Sequence, residues 1–397
     1  MATDAKRPIS VPGYLVLGAL TMITPLATNL FVPALPAIAR AFGSTAAAAQ
    51  LTVSTALIGI AVGQLVIGSI SDHLGRRLPA LVGTGAFVLL SIACALAPSL
   101  PVLILLRFLQ GFAGASGVVL ARASIRDRTS GSLAAQALSR LLIVAAIAPV
   151  IGPFLGALAL QVVDWRGVFI VLAVMGAIAF GMSLRWFPET WHRHERSEAE
   201  RTTMAGARSA LYRDPQFWGM VAVTGFLGLI SFSWLSIGSF FLSSEYGVGP
   251  TEYSVILGLS SLGFLISAWV NSRAVMRIGA RQALLRGTAI VSVAALVLLV
   301  ASLLHWPLPI VIVSALLSFG AFGGMIANAQ AIGMNPHGDA AGTASAFLGS
   351  SQFLLGAFIP PIVTHFFGTT WSMGASMLVA ASMAFLLTAI VARGSRA

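Results

Sequence analysis

Twelve apolar runs, joined by short connections that hold nearly all the charge, constrain this chain more than any other feature. About 20 helical residues cross a hydrocarbon core of roughly 30 Å. In lipid, only a helix or a closed barrel satisfies its own backbone. The runs read near 14–34, 50–70, 78–97, 100–121, 138–161 and 167–187, then 217–242, 252–272, 284–304, 308–330, 343–367 and 372–392. They predict an all-α membrane protein of twelve transmembrane helices. With 57% hydrophobic and only 9% charged residues, the chain departs far from soluble globules, which hold about 25% charged residues. Met1 to Ser10 is short and polar and the first run has no clear cleavage site after it, so no cleaved signal peptide is expected. Cys94, the single cysteine, lies within an apolar run. That excludes a disulfide framework and a Cys-based metal site.

The formal charge of +11 suggests nucleic acid until its distribution is read. Twenty of the twenty-three Lys and Arg fall in alternate connections, from Lys6 and Arg7 through Arg76, Arg122, Arg185 and Arg273 to Arg396. The opposite connections hold Arg40 and Arg166, and Arg107 lies inside a run. This asymmetry follows the positive-inside rule and puts both termini in the cytoplasm. The basicity is topological, and no nucleic acid is expected as a partner.

Between the second and third runs stands Gly68-Ser-Ile-Ser-Asp72-His-Leu-Gly75-Arg76-Arg77. An acid and two arginines belong at a water boundary. Gly68 admits a neighbouring backbone, and Gly75 permits a sharp reversal. The pattern resembles the cytoplasmic loop signature of the major facilitator superfamily, with His73 where a basic residue is usual. The resemblance implies two six-helix bundles with a midplane site between them. The polar stretch from Phe187 to Gln216 divides the chain accordingly into a bundle at 1–187, a linker at 188–216 and a second bundle at 217–397. The linker is read as partly an amphipathic surface helix. An internal echo supports duplication: Arg277-Ile-Gly-Ala-Arg281 matches His73-Leu-Gly-Arg-Arg77.

Within the superfamily, the chain resembles the bicyclomycin/chloramphenicol-resistance branch of the drug:proton antiporters. The residues that carry this are Ala27-Thr-Asn-Leu-Phe-Val-Pro-Ala-Leu-Pro36, Gln50-Leu-Thr-Val-Ser, Leu106-Arg-Phe-Leu-Gln-Gly111 and Ala148-Pro-Val-Ile-Gly-Pro-Phe-Leu-Gly156. Asp164-Trp-Arg-Gly-Val-Phe169, Phe232-Ser-Trp-Leu-Ser, Asn271-Ser-Arg and Ala341-Gly-Thr-Ala-Ser345 extend it over most of the chain. The resemblance implies a monomeric carrier in the bacterial inner membrane that exports small drugs against protons, with no cofactor. The sequence departs from the branch where it counts. Asn29 replaces the first-span acid and Phe31 the usual tyrosine. Every Asp and Glu falls in a connection or at a span end, although proton relays in membranes usually rely on a carboxylate.

Arg107 is the formal charge well inside a span. It lies about 11 Å from the outer end of span four, and Asn29 about 22 Å from the inner start of span one, so their depths nearly coincide. Two readings stand: an Arg107 that faces a central cavity, satisfied by Asn29, first-span carbonyls and substrate, or a structural arginine that knits spans one and four. Pro149, Gly152, Pro153 and Gly156 predict a bent, closely packed span five, a pattern that the resemblance associates with antiport. Asp72 is expected at the start of span eleven near Gly342, with Arg76 or Arg77 reaching Asp127. These contacts are read as a gate that breaks during transport, as a proton site or as a static ion pair. Candidates for the substrate wall are Gln64, Gln110, Phe232, Trp234, Asn328, Gln330, Gln352 and Phe353, each open also to a packing role. Few polar groups and no midplane acid favour neutral, lipophilic substrates. The six histidines show no metal spacing, and no phosphate loop is present. A transporter, not an enzyme, is expected. A polar-metabolite carrier and an uncoupled facilitator are the alternatives.

Overall fold

The computed structural model describes residues 11–129, 131–190 and 198–394, and among these every regular element is a helix. In chain order they are α1 Val11–Asn29, α2 Leu35–Ala41, α3 Ala46–Leu74, α4 Arg77–Ala95, α5 Leu100–Arg128, α6 Gly131–Val162 and α7 Trp165–Trp186. The linker contributes α8 Glu198–Arg213. Then follow α9 Pro215–Tyr246, α10 Pro250–Leu303, α11 Leu308–Gly320, α12 Phe322–Met334, α13 Ala341–Phe367 and α14 Ser372–Gly394. The expectations for both termini and for linker residues 191–197 lie outside the described residues.

Ten of the described helical stretches are long and apolar enough to cross a membrane, and Ile147–Val162 within α6 is a shorter apolar helix. One of the ten, α10, has 54 residues and breaks at Gly279, whose φ of 79° leaves the helical region. With α10 read as two crossings and Ile147–Val162 as one, the twelve expected crossings are present. Two of them differ from the expected continuous helices. The first stops at Asn29 and passes through a 3₁₀ turn, Val32–Ala34, before α2. Pro33 has no backbone N–H to donate there, so the α-helical ladder cannot run through it. The tenth divides at Ala321 into α11 and α12.

Local chemistry sets several helix ends. Asp164 accepts from the backbone N–H groups of Arg166 and Gly167 at 3.0 and 3.3 Å and so caps α7. Asp214 does the same for α9 through Gln216 at 2.8 Å, with Pro215 at the first helical position. Inside the spans, hydroxyls turn back on their own helix, as Thr84 does to the Ala80 carbonyl at 2.6 Å and Ser183 to Ala179 at 2.8 Å. A polar side chain is thereby satisfied without water.

The chain divides into two compact units, Met1–Ala34 with Ile58–His194 and Leu35–Leu57 with Glu195–Ala397. In the first, α4 packs on α5 and α7, and α1 packs on α5, α6 and α7. In the second, α9 packs on α12, α13 and α14, and α10 on α11, α12 and α14. Small residues make these contacts close. A Cβ on Gly59 would lie 2.1 Å from the Phe108 carbonyl oxygen, and one on Gly228 only 1.9 Å from that of Gln352.

The internal echo has a structural counterpart. Gly75 and Gly279 both take positive φ, 86° and 79°. Two residues later, Arg77 donates to the Leu184 carbonyl at the end of α7 at 3.1 Å, and Arg281 to the Val391 carbonyl near the end of α14. In each unit a guanidinium thus meets the negative end of a helix.

Candidate functional site

The first site is built on α5, where Arg107 and Gln110 stand three residues apart and share one face. Arg107 is 1% exposed, far inside a span, where an unsolvated charge is costly. Its Nη1 donates to Gln110 Oε1 at 2.6 Å and its Nη2 to the Ala27 carbonyl at 3.4 Å. The guanidinium carbon lies 4.4 Å from the centre of the Phe31 ring and 5.7 Å from that of Phe169. The two rings are 5.2 Å apart. Gln110 is fully buried and is fixed in turn, its Nε2 donating to Ser91 Oγ at 2.7 Å. The site therefore offers a desolvated cation against aromatic faces, held by neutral dipoles.

Chain breaks explain why the first span supplies this environment. The carbonyls of a helix's last turn lack intrahelical partners, and Ala27 sits in that turn of α1. Asn29 closes the helix, and its Nδ2 donates back to the Pro25 carbonyl at 2.8 Å. The Ala27 carbonyl of the first span receives from Arg107, while the Asn29 amide nitrogen donates to its own helix. Behind the break lies α6, which holds Pro149, Gly152, Pro153 and Gly156. A Cβ on Gly152 would lie 3.0 Å from Asn29 Cβ, and one on Gly156 2.2 Å from the Leu30 carbonyl oxygen. The glycines let α6 press on the break in the first span.

The carboxylates stand elsewhere. Among the described residues, Asp72, Asp127 and Glu245 lie at helix C-terminal turns, Asp164, Asp214 and Glu252 at helix starts, and Glu189 after α7. Three of them gather at the α3–α4 loop. Arg76 Nε donates to Asp127 Oδ2 at 2.9 Å, and its Nη1 to Asp72 Oδ1 at 2.7 Å and Ser71 Oγ at 2.6 Å. Of the two arginines expected to reach Asp127, Arg76 makes the contact. Burial lowers the Arg76 pKa, but hydrogen bonds and charge from Asp127 and Asp72 more than offset this, and it stands above its ordinary value. Glu189 completes the cluster by accepting from the backbone N–H groups of Arg76 and Arg77 at 2.8 and 3.1 Å, at the N-terminus of α4. Its carboxylate lies so close to Gly75 that a Cβ there would approach Glu189 Oε2 to 2.6 Å. Gly68, by contrast, leaves ordinary space, with Val119 at 3.7 Å.

In the second unit, Phe232 and Phe353 pack with ring centres 5.7 Å apart. Trp234 is fully buried, and its Nε1 donates to Ser260 Oγ at 3.2 Å. Asn328 exchanges two hydrogen bonds with Asn271, at 3.1 and 2.8 Å, so this carboxamide is committed to joining α10 and α12. Gln64, Gln330 and Gln352 are half-buried. Sequence reasoning missed Ser91, Phe169 and Glu189 as partners. Phe169 stood in view within Asp164-Trp-Arg-Gly-Val-Phe169, whereas nothing in the sequence joined Glu189 to Gly75.

These features define a polytopic helical membrane transporter. The chain belongs to the Major Facilitator Superfamily, whose pattern it matches over residues 17–361. It is 32% identical over 374 residues, 93% of each chain, to an uncharacterized MFS-type transporter, YdgK, of Bacillus subtilis. It is 26% identical over 382 residues to a bicyclomycin resistance protein homolog of Haemophilus influenzae, covering 94% of this chain and 95% of that protein. The resemblance to the bicyclomycin/chloramphenicol-resistance branch is borne out. Among solved structures, a bacterial homolog of the human lysosomal transporter Spinster matches in fold, with a TM-score of 0.74 at 15% identity over 99% of both chains.

Proposed function

We propose that this protein is a proton-coupled exporter of small, neutral, lipophilic antibiotics of the bicyclomycin or amphenicol kind, working by alternating access as a monomer in the bacterial inner membrane with both termini cytoplasmic. The observation that carries the reading is the environment of Arg107, a buried cation faced by Phe31 and Phe169 and hydrogen-bonded to Gln110. Aromatic faces suit a lipophilic solute, while the guanidinium suits its carbonyl, nitro or hydroxyl oxygens. A strongly cationic drug would meet a like charge. In the first unit Phe31, Arg107 and Gln110 are closed to solvent in this conformation, and we assign them, with Asn29 and Gln64, to substrate contact in the conformation that opens this region. In the second, the assignment goes to Phe232, Phe353, Gln352 and Gln330. Trp234 and Asn328 support their helices through Ser260 and Asn271. We assign the Asp72–Arg76–Asp127 cluster, with Gly68, Gly75 and Arg77, to gating, and the α6 glycines and prolines to a contact that limits leak.

A resistance panel of chemically varied antibiotics, run in a host stripped of its own pumps, tests the reading. Protection against neutral lipophilic compounds that is lost in Arg107→Ala supports it, and protection confined to cationic dyes refutes it. One observation favours a second reading, an uncoupled facilitator: the described carboxylates lie at helix ends or in connections, and position 29, where the family resemblance implies an acid, is an asparagine. Export that persists after a protonophore collapses the gradient would select it.

A further inference from the structure

The loop that joins the two halves of α10 repeats the α3–α4 loop in backbone but not in charge balance. Both turn on a glycine of positive φ, Gly75 and Gly279. In the first, Asp72 and Asp127 neutralise Arg76, and Glu189 meets the backbone of Arg76 and Arg77. In the second, Asn271–Gly287 holds Arg273, Arg277, Arg281 and Arg286 without one Asp or Glu. Among the described residues, no carboxylate forms an ion pair with Arg273, Arg277 or Arg286.

The surroundings of these arginines indicate where their counter-charge lies. Leu262, Ile266, Trp269, Arg273 and Arg277 recur at spacings of three and four, and all are exposed, so they form one outward stripe of α10. The stripe is apolar up to Trp269, 60% exposed, and basic beyond it. An outward tryptophan between apolar and charged turns marks the boundary between hydrocarbon and headgroups. The Arg273 guanidinium carbon lies 3.5 Å from the centre of the Trp269 ring, which fixes the charge at that level.

We infer that the Trp269–Arg273–Arg277 stripe binds the phosphate-bearing headgroup of an acidic phospholipid from the adjoining leaflet, with the acyl chains along Ile266 and Leu262. Arginine clusters just beyond a span attract anionic lipid, each basic residue contributing about fivefold in affinity. Guanidinium suits phosphate by geometry as well as by charge. The inference needs only the membrane setting and is independent of the transported compound.

Native mass spectrometry of the full-length protein, reconstituted in an equal mixture of phosphatidylcholine and phosphatidylglycerol, tests it. The wild type should retain phosphatidylglycerol in preference. Arg273→Gln should lower that retention about fivefold, and Arg273→Gln with Arg277→Gln about 25-fold, while the matching Lys pair retains most of it. Undiminished retention in the Gln pair overturns the inference. If the Gln pair does not fold, a salt titration of the wild type decides, since headgroup binding must weaken as charge is screened and indifference to salt contradicts it. A separate arm adds inorganic phosphate or glycerol phosphate to the detergent-solubilised protein. A rise in melting temperature equal to that given by phosphatidylglycerol would assign the site to free phosphate and overturn the lipid assignment.

Discussion

The Arg107 guanidinium carbon lies 4.4 Å from the centre of the Phe31 ring, inside the first unit and closed to solvent. The aromatic face stabilises a desolvated cation by about 1–2 kcal/mol. Phe31→Leu keeps the bulk and removes the face, so it should lower the stability of the purified protein by about that amount, read from its melting curve. It should also weaken export. Phe31→Tyr should preserve both.

Gly156 has no room for a side chain. A Cβ would meet the Leu30 carbonyl oxygen at 2.2 Å, backbone against backbone. Gly156→Ala should cost about 1–3 kcal/mol of stability through forced helix displacement, or raise passive proton leak in liposomes. Gly181→Ala, where nothing lies within 4 Å, serves as the neutral comparison.

The Arg76 cluster should show graded losses. The Arg76 side chain is 8% exposed, that of Asp127 21% and that of Asp72 50%. Asp127→Asn should therefore cost more than Asp72→Asn, about 1.5–3 kcal/mol for the buried charge-assisted bond and under 1 for the solvated one. A double-mutant cycle between Arg76 and Asp127 measures the coupling. Because the Arg76 pKa is raised, its stabilising charge is fully present below its ordinary value and is lost only as pH rises through the still higher folded value. Melting curves from about pH 7 to 10 should show no loss that Arg76→Gln abolishes.

Glu189 should matter through the turn it closes. Its carboxylate receives the first N–H groups of α4 from Arg76 and Arg77. Glu189→Ala should cost about 1 kcal/mol, as for loss of a helix cap, and should lower the maximal export rate more than the apparent affinity for drug. A change in affinity alone would contradict this role.

The twelve crossings were legible because hydrocarbon thickness dictates run length, and the α3–α4 turn because glycine and charge mark a water boundary. The division of the first crossing was signalled by Pro33 and Pro36, yet mean hydropathy continues smoothly through them. Continuity of α10 across its loop was not legible, since Arg273, Arg277 and Arg281 read as a connection while their backbone stays helical except at Gly279. The Arg107 partners were partly legible. Gln110 shares its helical face by spacing, but Phe169 and Ser91 come from other helices, and single-chain periodicity carries no information on which faces meet. Asn328 was readable as polar and intramembrane, but its pairing with Asn271 lies 57 residues away in sequence.

The most direct test is drug movement into liposomes that hold the purified protein under an imposed proton gradient. Radiolabelled chloramphenicol should accumulate against its own gradient when protons flow the opposite way, collapse with a protonophore, and fall to the level of empty liposomes in a folded Arg107→Ala protein. Accumulation indifferent to the proton gradient, or unchanged in Arg107→Ala, would contradict the account.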